Sequence, residues 1–498
     1  MADAHGAGRA GDSGCGAEIS IFLRFDGGCV SRAAFTASGS SAVIAAGSIL
    51  TGKLEGVSWR RAAALTVAEM LAEMGGSGTQ VAEDARPGSP EQAAIFAVEA
   101  LQAALEDSLG RGTFPVAPGA EPDTVIVAMS GGVDSSTACW LKQEQGLQVI
   151  GVTMRLWSDP EVDAADSGLS CCSPRAIRDA RQVCHSLGLP HLTVDYSRPF
   201  REKVVEYFVT EYLAGRTPNP CARCNGSFRF PELMRLAERL GAAGMVTGHY
   251  ARIITRDGRR MLARGRDTGK DQSYMLWGVR QPLLASMEFP LGEMRKVEVR
   301  ELARRAGLDV HDRVDSQEVC FIPDDDYRRF ILSQLEATGT GVPGAGEIVS
   351  VSGNRIGKHG GYINFTIGQR RGLGGGAAEP LYVVGIEPET NRVIVGDRGD
   401  LAVDALTIGD INCFLPREEI DEFGVQLRYN SPSLPGRVVR KQGGSGGDAA
   451  GEQWHIQLDK PAYGVAPGQS AVMYLDDMVV AGGIIISTGK AETSLRGG

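Results

Sequence analysis

A short apolar strand over 124–128 runs into Ala128-Met-Ser-Gly-Gly-Val-Asp-Ser-Ser136 and then into a helical pattern from about Asp134 to Glu144. No other stretch constrains the fold as tightly. Small residues in such a turn let backbone N–H groups approach an anion, and the helix start adds the positive end of its dipole. Hydroxyls of Ser130, Ser135 and Ser136 add donors, and Asp134 can cap the helix or hold a magnesium ion. Gly-Lys-Ser/Thr is missing, so this is not a Walker A loop. Ala128, Met129, Ser130, Gly131, Gly132, Val133, Asp134 and Ser135 are therefore expected to bind a nucleotide phosphate.

Strand and helix patterns alternate beyond the loop. Strands are expected at 148–154, 191–195 and 245–247, with helices at 175–187, 198–214 and 230–240. That alternation makes βαβ units and a parallel sheet covered on both faces. Past about residue 345 helices nearly vanish. Strands are expected at 347–351, 362–366, 381–387, 392–395, 425–429, 437–440, 454–458 and 472–474, with 443–447 as a glycine-rich hairpin tip. Short strands between Gly/Pro turns indicate small β domains, including a barrel. Upstream lie a strand at 18–25, a Gly27-Gly28 turn, and helices at 41–54, 58–74 and 90–109, with Ser58 and Ser89 as N-caps. The chain thus divides into an α+β unit (1–115), a linker (116–123), an α/β domain (124–330), a β-rich domain (331–403) and a C-terminal β-barrel (404–498).

Ten cysteines in 498 residues are too sparse for a disulfide framework. Cys221-x-x-Cys224 points instead to redox or metal chemistry in a reducing compartment, the cytoplasm. No run approaches ~18 apolar residues, so no membrane span is expected. The net charge of −10 requires any nucleic-acid surface to be local. Residues 252–270 supply one, with seven Lys/Arg against Asp257 and Asp267.

Two cysteine motifs complete the chemistry: Thr217-Pro-Asn-Pro-Cys-Ala-Arg-Cys-Asn225 and Asp315-Ser-Gln-Glu-Val-Cys-Phe321. A thiol near helix N–H groups and near Arg223 is expected to react as thiolate. With the phosphate loop, Thr247-Gly-His-Tyr-Ala251, Lys270-Asp-Gln-Ser-Tyr274, Thr366-Ile-Gly-Gln-Arg370 and Ala466-Pro-Gly-Gln-Ser470, these make seven ordered motifs. The loop resembles the PP-loop of ATP pyrophosphatases. The whole set, over residues ~120 to ~490, resembles the tRNA-specific 2-thiouridylase family.

The resemblance implies a Rossmann-like PP-loop catalytic domain that uses ATP and Mg2+ to adenylate the C2 oxygen of the wobble uridine. A persulfide on Cys320 then supplies sulfur, and Cys224 is the thiol that releases it, leaving a Cys224–Cys320 disulfide. Met154 and Gly248 would contact the adenosine part of ATP. Asn219, Pro220 and Cys221 would lie near the target base, and His249, Lys270, Asp271, Gln272, Arg428, Tyr429 and Gln469 would contact tRNA. A cysteine desulfurase or sulfur-relay protein would be the donor.

The family commonly carries Asp three residues before the nucleophile, where this chain has Cys221, which puts a general-base role there in doubt. Cys221, Cys224 and Cys320 could instead hold a [4Fe–4S] cluster. A small-molecule ligase with the same loop is the competing function, but it needs neither cysteine motif.

The first unit is similar to the NifU-like iron–sulfur scaffold family. Of that family's ligands only Cys15 survives: Ala17, Ser40 and about Ala93 stand at the other positions. A degenerate scaffold for docking or sulfur relay is expected. With 13 acidic and 8 basic residues, positions 1–118 do not read as a transit peptide.

Overall fold

The computed structural model describes residues 1, 3–76, 85–115, 119–158, 173–310, 319–373, 380–442 and 451–490. Cys171, Cys172, the 315–318 part of the second cysteine motif and the 443–447 tip lie outside them.

The N-terminal unit is an antiparallel sheet, β1 (Gly6–Asp12), β2 (Ala17–Asp26) and β3 (Cys29–Ser38), in that order. Its alternating face (Ile19, Ile21, Leu23) is buried under α1 (Ser41–Leu54) and a long later helix. The helix expected over 58–74 is two, α2 (Trp59–Ala63) and α3 (Val67–Glu73). Thr66 breaks it with a capping box: its hydroxyl accepts from Glu69 N at 3.0 Å, and the Glu69 carboxylate accepts from Thr66 N at 2.9 Å. The long helix is α4 (Pro90–Gly110), capped by Ser89 with Pro90 in its first turn.

The α/β unit is a parallel sheet of β4 (Glu121–Ala128), β5 (Gln148–Arg155), β6 (His191–Asp195), β7 (Ala242–Val246) and a short β10 (Met287–Glu288). Its order is β10-β7-β4-β5-β6. Helix α5 (Val133–Glu144) follows β4. A hairpin, β8 (Ala251–Arg256) and β9 (Arg259–Arg264), follows β7 and leaves the sheet.

Within the cationic stretch 252–270, Arg256, Arg259 and Arg266 are exposed, whereas three other arginines are committed to the fold. Arg252 pairs with Asp477 at 2.9 Å, Arg260 donates to Met287 O at 2.9 Å, and Arg264 pairs with Asp271 at 3.1 Å. These cations hold the hairpin to its neighbours.

The central domain has β11 (Gly346–Ser350), β12 (Arg355–His359), β13 (Tyr382–Glu387) and β14 (Arg392–Gly396), in the order β12-β11-β14-β13. The expected strand at 362–366 is instead a 3-10 turn over Tyr362–Asn364. The C-terminal domain has β15 (Ala402–Cys413), β16 (Glu422–Gln426), β17 (Leu434–Gln442), β18 (Gln453–Tyr463), β19 (Ser470–Leu475) and β20 (Met478–Gly489). Pairing of β15 with β20 closes these strands into a barrel, and β9 then β8 extend from β20.

The N-terminal unit is seated on the parallel sheet rather than tethered beside it. Glu106 on α4 accepts from Arg181 Nη2 and from the backbone N–H of Thr193, each at 3.0 Å. The second bond satisfies a donor of edge strand β6, which is one way a fold protects an open edge. Burial pushes the Glu106 carboxyl up, and Arg181 offsets this in part. Arg60 reaches Glu121 at 2.8 Å, and Arg239 reaches Leu109 O at 2.9 Å. Glu106→Ala would strand the largely buried Arg181 guanidinium and cost about 2–4 kcal/mol. Denaturant unfolding measures it, and a loss under about 0.5 kcal/mol would mean a loose contact.

His185 sits in the same interface, its Nε2 3.1 Å from Ala63 O. Burial lowers its pKa to about 4, with the Ala63 bond and Glu69 opposing that shift. An unfolded histidine protonates near ~6.5. Between those values the unfolded chain binds the extra proton, so this contribution is full above pH ~6.5 and is lost as pH falls toward 4. His185→Gln should flatten thermal stability against pH across that window. An unchanged slope would contradict the assignment.

Candidate functional site

The phosphate loop leaves the carboxyl end of β4, where parallel sheets place their ligands. Met129 N donates to Val152 O at 2.8 Å, which ties the loop to β5. Gly131 lies at φ +71, and a Cβ there would meet Ala176 O at 2.5 Å. The helix Pro174–Ser186 therefore walls one side. Ser135 Oγ accepts from Ser130 N at 3.1 Å, and Ser136 Oγ donates to Gly132 O at 2.9 Å, so these hydroxyls brace the turn. Met154 is buried near the end of β5. Gly248 closes the other wall: a Cβ there would sit 2.7 Å from Asp134 C and 2.8 Å from Ser135 N. Two glycines that no side chain could replace line a cradle at the start of α5, which fits a nucleotide phosphate.

Asp134 projects from the first turn of α5. Lys296 Nζ lies 2.8 Å from both of its carboxylate oxygens, and Tyr250 OH donates to Oδ1 at 2.7 Å. Sequence reasoning does not reach either partner. The one signal for Lys296 is a cation at the first position of a helix (Lys296–Arg305), against the dipole. Among the described residues no three His, Cys, Asp or Glu side chains gather to hold a metal. A magnesium ion here would rest on the Asp134 carboxylate and on nucleotide phosphates, which suits an ion that rarely has an all-protein cage.

The residues 247–251 join this loop to the first cysteine motif. The His249 ring packs on Phe230 (5.6 Å between centroids) and Phe289 (5.9 Å), and its Nδ1 is 2.8 Å from Thr247 Oγ1. Burial, helped by Arg229, lowers its pKa to about 3, so it is neutral at physiological pH. Phe230 lies on the same continuous helical run as Cys224: Pro220–Cys224, a π-helical turn over Asn225–Arg229, then Phe230–Arg239. Insertions of that kind recur at functional sites. Asn219 caps the run by accepting from Ala222 N at 3.1 Å, and Pro220 is buried. Arg223 reaches Asp410 at 3.4 Å and lies 5.0 Å from the Tyr207 ring centroid.

The two cysteine segments share one anchor. Phe228, four residues past Cys224, and Phe321, next to Cys320, each lie 5.7 Å from Phe200 between ring centroids. Cys221 and Cys320 are half-buried and Cys224 is buried. The cluster alternative for Cys221, Cys224 and Cys320 is not assembled: no three such ligands gather among the described residues, and Cys224 lies in the hydrophobic core.

Two further motifs meet the start of the first cysteine motif in a cleft of about 390 Å³ lined by Thr217, Thr366, Ile367, Gly368, Gln369, Arg428, Ala466 and Gln469. All three domains beyond the linker contribute. Gln469 Nε2 donates to Thr217 O at 3.1 Å, and Arg428 Nη2 bonds Gly464 O. Tyr429 lies 6.3 Å from Tyr274 between ring centroids. Asp271 faces inward and accepts from Arg264, Gly265 N, Ser273 N and Ser273 Oγ. Gln272 exchanges two 2.9 Å bonds with Tyr250, and Lys270 follows the Asp267 turn.

At the scaffold-like pole, Cys15 is exposed in the β1–β2 turn, and Ser40 Oγ donates to Gly88 O at 3.3 Å. A Cβ on Gly39 would touch Ala17 Cα at 3.0 Å. The fold thus sets Ala17 against the glycine that precedes Ser40, with Cys15 exposed in the neighbouring turn.

Family profiles define the class first. The tRNA methyl transferase HUP domain matches residues 123–324, its PRC-barrel domain 339–397, the aminomethyltransferase beta-barrel domain 403–485 and the NifU-like N terminal domain 1–113. Curated relatives then narrow it. The chain is 45% identical to tRNA-specific 2-thiouridylase MnmA 1 of Caldanaerobacter subterraneus subsp. tengcongensis, over 72% of this chain and 97% of that protein. It is 46% identical to tRNA-specific 2-thiouridylase MnmA of Syntrophotalea carbinolica, over 72% and 98%. It is 40% identical to the bifunctional protein NifU/MnmA of Rubrobacter xylanophilus, over 96% and 94%. The chain belongs to the tRNA-specific 2-thiouridylase family, in a form that carries a NifU-like domain.

Proposed function

We propose that this chain uses ATP to replace the C2 oxygen of the tRNA wobble uridine with sulfur. The observation that carries the proposal is the contact chain from Gly248, packed against the phosphate loop, through His249 and Phe230, to the Cys224 helix, and through Phe228 and Phe200 to Phe321 beside Cys320. A phosphate cradle and two thiol segments linked by these contacts suit adenylation followed by sulfur transfer.

The loop backbone and the start of α5 hold the pyrophosphate, and magnesium supplies charge neutralisation there when bound. The C2 oxygen of uridine attacks the α-phosphorus and pyrophosphate leaves, which converts a poor leaving group into AMP. The Cys224 thiolate attacks the inner sulfur of a Cys320 persulfide. An S–S bond forms between the cysteines and hydrosulfide is released. Hydrosulfide adds to C2, and AMP departs with the original oxygen. An external dithiol then reduces the disulfide. His249, neutral in its aromatic cleft, holds the Phe230 helix in place without carrying charge. The three-domain cleft around Arg428 and Gln469 receives tRNA. Asp271 and Gln272 act as positioning residues, because their side chains are committed to Arg264, Ser273 and Tyr250.

Mass analysis of tRNA nucleosides from cells lacking this chain tests the reading. Loss of 2-thiouridine derivatives is expected, and their persistence at normal level would reject it.

A further inference from the structure

The pair at the mouth of the phosphate loop has an unusual construction. Lys296 opens its helix, where a cation opposes the dipole, while Asp134 lies in the first turn of α5, where an anion is favoured. Lys296 is nevertheless fixed there. Its backbone N–H donates to Asp267 Oδ2 at 2.8 Å, its side chain is only 10% exposed, and Nζ bridges both Asp134 oxygens at 2.8 Å. Tyr250 is fixed too: it is buried with Leu291 and Val299, and Gln272 holds its N–H at 2.9 Å. Its hydroxyl and the ammonium fill the inner side of the carboxylate. Asp134 itself is 32% exposed, so part of the carboxylate stays open to solvent.

We propose that Lys296 is the resting counter-ion of Asp134, which keeps free divalent metal off that carboxylate so that metal enters only together with nucleotide. A metal ion arriving alone must displace an ammonium that is held in place and leave it beside a second cation. A metal–nucleotide complex brings phosphate oxygens, which give the displaced ammonium a new partner. Lys296 is thus a positioning residue for ordered loading. This inference rests on the reading of residues 128–136 as a nucleotide-phosphate loop.

The test titrates Mn2+ alone into the full-length chain, following unbound Mn2+ by electron paramagnetic resonance. Wild type and Lys296→Arg, which keeps the cation, should bind weakly. Lys296→Gln keeps a hydrogen bond to Asp134 but no charge, and should bind at least about tenfold more tightly. Adding Asp134→Asn to it should erase the gain. If the Gln variant folds poorly, Lys296→Met gives a second readout, because Mn2+ should raise its melting temperature but not that of wild type. Equal Mn2+ affinity in wild type and the charge-removed variant overturns the inference. Mn2+ with ATP on wild type separates the two ideas. Failure of that complex to bind rejects the nucleotide loop, whereas binding without a gain in the Gln variant rejects only the role of Lys296.

Discussion

Cys224→Ser and Cys320→Ser should each lower tRNA thiolation by at least about three orders of magnitude, while ATP binding stays intact. Removing a nucleophile or the sulfur carrier stops transfer outright, because serine neither holds a persulfide nor opens one. Neither residue belongs to the loop 128–136 or to the glycine walls of the cradle. Cys224 sits one helical turn beyond Asn219, and Cys320 precedes the aromatic anchor at Phe321. tRNA-dependent ATP–pyrophosphate exchange should therefore survive in both variants. Near-normal thiolation by either would remove that cysteine from the proposal. Cys221→Asp, which restores the commoner family residue, should stay active in iron-free protein.

Gly131→Ala should weaken ATP binding by at least about tenfold and slow adenylation by about a hundredfold, since a displacement of ~1 Å in a positioning group costs that much. An alanine at φ +71 costs about 1–2 kcal/mol in backbone energy alone. Its Cβ would also lie 2.5 Å from Ala176 O, so either the loop or the helix Pro174–Ser186 must move. Gly132 makes the control for stability. Its φ is −88, and a Cβ there would lie an ordinary 3.5 Å from Ser130 Oγ. Melting curves should show a clear loss for Gly131→Ala and little for Gly132→Ala. Equal losses would contradict the described wall.

These two glycines stand side by side in sequence and are chemically alike, and only the fold separates them. The loop itself was legible because its signal is local: an apolar strand, small residues, then a helix. The cysteine motifs were legible for the same reason. The expected Thr66 region failed as one helix because its capping box competes with continuation, and Thr-Val-Ala-Glu69 could have been read that way. The 251–264 hairpin was missed because its strands mix Arg with Ile and Leu, and its partner β20 begins more than two hundred residues later. Lys296 and Tyr250 are 162 and 116 residues from Asp134, and neither the helix-start cation nor the 247–251 motif names Asp134 as the partner. Docking of the first unit was invisible likewise, since the expected linker suggested separation while Glu106 and Arg181 close the interface from 75 residues apart. Local chemistry was readable, and pairings set by long-range topology were not.

The claim at the centre of this account is that ATP activates the uridine oxygen, and one isotope measurement tests it directly. A tRNA carrying oxygen-18 at C2 of its wobble uridine is thiolated by the purified chain with ATP, magnesium and a persulfide donor, and the released nucleotide is weighed by mass spectrometry. The account predicts AMP carrying one oxygen-18 for each 2-thiouridine formed. Thiolation that releases unlabelled AMP, or ADP and phosphate, would contradict it.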